Sequence, residues 1–109
     1  MGEKGILEKD IAEIVSEAES IARDINPDKH RQVRKVFNTI LDANPEEFPL
    51  VRARLLYQAV QESAIEGMVN YLSEEIKRLK EKNELNEEAK EKLQIFSEAV
   101  YCFVKSGRR

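Results

Sequence analysis

The stretch NPDKHRQVRKVFNTIL, residues 26–41, decides how the rest of the chain is read. Its apolar residues Val33, Val36, Phe37, Ile40 and Leu41 recur at the spacings that build one face of a helix. At about 100° per residue, Arg31, Arg34, Lys35 and Asn38 fall on the opposite arc. Asn26 is placed to cap the free amides at the helix start. Pro27 suits the first helical position, and Asp28 favours the positive end of the helix dipole. The segment Pro27–Ala43 therefore reads as an amphipathic helix with a cationic outward side.

Working outward, the same periodicity continues in both directions. A first helix is expected over Leu7–Ile25, with Leu7, Ile11, Ile14, Ala18, Ile21 and Ile25 as its apolar stripe. After a turn at Asn44–Pro49, a third helix is expected to begin near Leu50. Ala53, Leu56, Tyr57, Val60 and Ala64 form one stripe on it, while Val51 and Leu55 lie almost opposite. A helix apolar on two sides reads as central. Gly67 marks a break or kink. A fourth helix carries Met68, Val69, Leu72, Ile76 and Leu79, and a fifth, capped by Asn86, carries Leu93, Phe96, Val100, Phe103 and Val104. No run alternates like a strand and no Asn-Gly or Asp-Gly hairpin is present. The expectation is an all-α, single-domain bundle of about five helices over residues 1–109, with residues 1–5 and 106–109 flexible.

The chain is acidic, with 21 Asp and Glu against 18 Lys and Arg. Positive charge is nevertheless concentrated. From Asp28 to Tyr57 the basic residues Lys29, Arg31, Arg34, Lys35, Arg52 and Arg54 outnumber the acidic Asp28, Asp42, Glu46 and Glu47, and Lys105, Arg108 and Arg109 close the chain without an acid. Gathering cations on one surface of an acidic molecule is the electrostatic footprint of a phosphate-backbone binder. No apolar run approaches the roughly 20 residues needed to span a bilayer, and the start carries no signal-peptide pattern. Cys102 is the only cysteine, which excludes an internal disulfide and a cysteine-based zinc site and fits a cytoplasmic setting.

Catalytic constellations are not found. His30, the single histidine, lies in a first helical turn without a nucleophile or orienting partner at local spacing. The adjacent carboxylates Glu46-Glu47, Glu74-Glu75 and Glu87-Glu88 diverge on a helix. There is no glycine-rich phosphate loop or metal-ligand spacing. No enzyme activity, cofactor or metal is therefore expected. Cys102 reads as a small buried hydrophobe. Tyr57, Tyr71 and Tyr101 are the available stackers, with Tyr57 assigned to the core stripe, so recognition of RNA backbone rather than sequence is expected.

Three segments together resemble one family, the small subunit of the type III-A CRISPR effector, the Csm complex. They are Gln32-Val33-Arg34-Lys35-Val36-Phe37, Leu50-Val51-Arg52-Ala53-Arg54-Leu55-Leu56-Tyr57, and Phe96-Ser97-Glu98-Ala99-Val100-Tyr101-Cys102-Phe103-Val104-Lys105-Ser106-Gly107. The chain departs from the family pattern at Val104, where a histidine is frequent, at Ser106-Gly107, where two glycines are frequent, and at Gln61-Glu62, where a basic residue is common. The resemblance implies a small helical bundle without enzymatic activity. Copies of it would stack beside the backbone subunits and line the channel in which guide RNA pairs with target RNA. Guide RNA, target RNA and the other Csm subunits are then the expected partners, and a membrane is not. Phosphate contact is assigned first to Arg31, Arg34 and Lys35, next to Arg52, Arg54 and Lys105, and last to Arg108 and Arg109. The Val51/Leu55 and Ile95/Cys102 seams suggest self-association. The alternative reading of the basic face is a protein-interaction module that meets an acidic protein partner.

Overall fold

The computed structural model describes residues 4–107. Five α-helices follow one another: α1 (Ile11–Ala22), α2 (His30–Asp42), α3 (Phe48–Gln61), α4 (Glu66–Glu81) and α5 (Glu87–Ser106). Single 3₁₀ turns at Ile6–Glu8, Pro27–Lys29, Pro45–Glu47 and Ser63–Ile65 lead into α1, α2, α3 and α4. There is no strand among the described residues. The radius of gyration, 12.8 Å, is that of one domain, for which about 13 Å is expected at this length.

Local chemistry explains the helix boundaries. Asp10 accepts from the Glu13 backbone amide at 2.8 Å, and Glu13 accepts from the Asp10 amide at 3.1 Å. This reciprocal pair closes the start of α1. It also corrects the expected continuous helix from Leu7, because Asp10 is extended and cannot be helical. Asn26 caps the 3₁₀ turn Pro27–Lys29 rather than α2 itself, which starts at His30, accepting from Asp28 N at 3.1 Å, and Asn86 accepts from Ala89 N at 2.9 Å. The break before α4 falls at Glu62, not at Gly67, which lies inside the first turn of α4. Gly107 ends α5 at φ 71°, a left-handed conformation that suits glycine.

The core is built around α5. Its Ala89, Leu93, Phe96, Val100 and Val104 are buried, and it packs lengthwise against α1 and α2 while α3 pairs with α4. Fully burying side chains such as Phe48, Phe96, Leu72 and Leu93 stabilises the fold by about 1.5–3 kcal/mol each.

Three apolar assignments need correction. Ile11, the first residue of α1, is 61% exposed although its phase matches that of the buried Ile14, Ala18 and Ala22. On α3 the buried face is Phe48, Val51 and Leu55. Leu56, Tyr57 and Val60 point outward instead, with Tyr57 64% and Val60 83% exposed. Val51 and Leu55, fully buried, are therefore part of the core and are not a surface seam for self-association. Cys102 is exposed and Ile95 only half-buried.

The N-terminal segment is locked down by polar groups. Glu75 on α4, 3% exposed, accepts from Ile6 N at 2.9 Å and pairs with Arg78 at 3.1 Å. Lys9, 8% exposed, pairs with Glu17 at 2.9 Å and lies 3.9 Å from Glu75. The Tyr71 hydroxyl donates to Glu17, and its ring stacks on Phe96 at 3.9 Å between centroids. From α5, Lys92 donates to the carbonyls of Leu7 and Lys9 at 2.9 and 2.7 Å. Burial, then the bond to Glu17, pushes the Tyr71 hydroxyl well above the ordinary tyrosine pKa.

Candidate nucleic-acid interface

Burying Val33, Val36 and Ile40 of α2 turns the other arc of that helix outward. Arg31, Arg34 and Lys35 are all exposed there, and none of them forms an ion pair among the described residues. The carboxylate on the same arc is Asp42, at the far end of the helix.

Arg34 is held without being neutralised. Its guanidinium carbon lies 5.2 Å from the centroid of Tyr101 on α5 and 5.7 Å from that of Phe37. Its Nε donates to Asn38 Oδ1 at 3.3 Å. Ring faces and an amide orient the side chain but carry no net charge, so the cation keeps its full field. The two terminal nitrogens, the fork suited to phosphate, have no hydrogen-bond partner among the described residues.

Two neighbouring helices extend the basic crest. A Cβ placed on Gly107 would lie 3.9 Å from Pro27 Cγ, so the end of α5 meets the approach to α2 and the two helices run antiparallel. Lys105, one turn beyond Tyr101 on α5, is exposed on this flank. On the other flank, Lys35 shares a cleft of about 530 Å³ with Gln32, Arg54, Tyr57, Gln58 and Gln61. Lys29 and Glu62 pair at 3.5 Å between the approach to α2 and the end of α3.

The sequence-predicted cations therefore divide. Arg31, Arg34, Lys35, Arg54 and Lys105 gather along α2 and its two flanks. Arg52 does not join them, because its Nε donates to Ser73 Oγ on α4 at 2.8 Å. Arg108 and Arg109 lie outside the described residues. Gln32, Gln58 and Gln61 are lining residues that sequence reasoning missed, and Tyr57, named there as a stacker but placed in the core, lines the cleft as well. The spacing Phe48, Val51, Leu55 carried the signal, since it defines a buried face that turns Tyr57 outward.

His30 is half-buried in the first turn of α2. Among the described residues no three or more His, Cys, Asp or Glu side chains are grouped to hold a metal ion. No helix among them is long and apolar enough to cross a membrane. No protein-family model, curated protein or solved structure matches the chain.

Proposed function

We propose that this protein is a non-catalytic small subunit of a type III-A CRISPR ribonucleoprotein that binds RNA backbone along α2, at the guide–target channel. The observation that carries the reading is the exposure of Arg31, Arg34 and Lys35 on one arc with no carboxylate paired to any of them. A cation retained for solubility alone gains from a nearby carboxylate. Cations held apart from carboxylates on a chain rich in acid instead provide a surface for an external polyanion. The Arg34 fork, oriented by Tyr101 and Phe37, is suited to grip two phosphate oxygens.

The outward apolar face of α3 supports the assembly part of the reading. Leu50, Leu56 and Val60 are exposed beside the basic crest, as a subunit packed between protein neighbours requires. That face, rather than the Val51/Leu55 seam, is where the other subunits of the complex or a second copy would rest.

The test is RNA affinity against salt concentration in the reconstituted complex. Arg34→Ala and Lys35→Ala each weaken target-RNA binding about equally for all sequences and lower the salt slope by about one. An unchanged slope in both variants refutes the contact. Pull-down by an acidic protein that heparin fails to displace would favour the protein-interaction alternative.

A further inference from the structure

We propose that the cleft between α2 and α3 accepts one unpaired nucleotide, its base laid on the Tyr57 ring and its phosphate held by Lys35 and Arg54. This deepens the RNA reading and rests on it, because it names the form of RNA the surface takes: a strand with at least one base free of pairing.

The cleft, about 530 Å³, falls within the size range of small-molecule sites. Lys35 and Arg54 enter it from different helices, and neither has an ion-pair partner among the described residues. Glu62, the carboxylate in the lining, already pairs with Lys29. Tyr57 is 64% exposed, and its hydroxyl accepts from Gln61 Nε2 at 3.0 Å, which restrains the ring. Ile65 adds a buried apolar surface. Gln32, Gln58 and Gln61 supply amides, each able to donate and accept, as base edges require.

Gln58 adds a separate observation. The Thr39 hydroxyl donates to the Lys35 carbonyl at 2.9 Å, so it can only accept from Gln58. Gln58 Nε2 therefore faces Thr39, at 3.4 Å, and its Oε1 is left enclosed with no donor. Rotation of the side chain toward the cleft presents this acceptor to an N–H of the base. A paired base could use neither this acceptor nor the face of the ring, so the unpaired form is selected. An acidic peptide would satisfy the two cations but would leave the ring and the amides without a purpose.

The test uses the full chain, titrated with a single-stranded RNA decamer, with a duplex of the same length, and with polyglutamate. Tyr57→Ala weakens single-strand binding about tenfold, the loss expected for one stacked base, and leaves duplex binding unchanged. Tyr57→Phe, which keeps the ring, stays within about twofold of wild type for the single strand. Circular dichroism confirms that both variants are folded. Arg34→Ala weakens both RNA forms and reports on the backbone contact separately. If Arg34→Ala has no effect while the selective Tyr57→Ala loss persists, the cleft stands and the crest reading fails. Equal losses on both RNA forms with Tyr57→Ala, no loss at all, no single-strand binding by the wild type up to millimolar concentration, or polyglutamate binding as tight as RNA would each overturn the cleft proposal.

Discussion

Beneath the N-terminal segment, Lys9, Glu17, Glu75 and Arg78 are joined by contacts of 2.9 to 3.9 Å, and Lys9 and Glu75 are almost closed to solvent. Along α2, Arg31, Arg34 and Lys35 stand in solvent with no carboxylate paired to them. The same residue types serve opposite ends in the two regions. Taking a charge out of water is unfavourable unless a partner and hydrogen bonds replace the solvent. The first region meets that condition and ties three parts of the chain together. The second leaves its charges hydrated and available, which contributes little to stability and creates a positive field.

The largest expected effect lies in the enclosed network. Glu75→Ala removes the acceptor of Ile6 N and a carboxylate bound by Arg78, and it leaves Lys9 with one carboxylate instead of two. It should destabilise the fold by about 3–5 kcal/mol in urea unfolding. A loss below about 1 kcal/mol would mean that the network does not hold the N-terminal segment.

Tyr71→Phe comes next, at about 1 kcal/mol near neutral pH, because it deletes the hydroxyl bond to Glu17 but keeps the stack on Phe96. It also changes the alkaline limb. The folded state keeps the Tyr71 proton above the pH at which an unfolded tyrosine, with a pKa of about 10, gives it up. The contribution is therefore fully present below about pH 10 and declines as pH rises toward the higher folded value. Stability against pH from 9 to 11 should fall less steeply in Tyr71→Phe than in the wild type. Parallel curves would break the assignment.

The smallest effects sharpen the contrast on α3, where two arginines two residues apart belong to different regions. Arg52→Ala should cost about 0.5–1 kcal/mol, since Ser73 loses the Arg52 donor, and should leave the RNA salt slope unchanged. Arg54→Ala should alter stability by no more than about 0.5 kcal/mol but lower the slope by about one. Equal behaviour of the two variants would erase the distinction.

Much of this contrast was legible in the residues. The α2 period separates Val33, Val36 and Ile40 from Arg31, Arg34 and Lys35 without any tertiary information, and Asn26 and Asn86 mark helix starts by their own chemistry. α3 was not legible in the same way. Two apolar spacings compete on it: the stripe through Leu56, Tyr57 and Val60 reads as core, and packing against α4 selects Phe48, Val51 and Leu55 instead. The α1 break is written in the Asp10–Glu13 capping pair, but the apolar period runs straight through it and masks the signal. The roles of Glu17, Tyr71 and Glu75 depend on residues separated by more than 50 positions, and local spacing carries no trace of such contacts.

The most direct measurement is a residue-by-residue map of amide chemical-shift changes as duplex RNA is titrated into the full chain at low and at moderate salt. Shifts should concentrate at Arg31–Asn38 and around Arg54, shrink as salt rises, and be absent around Lys9, Glu75 and Arg78. A map in which α2 is silent while RNA binds elsewhere would contradict the account.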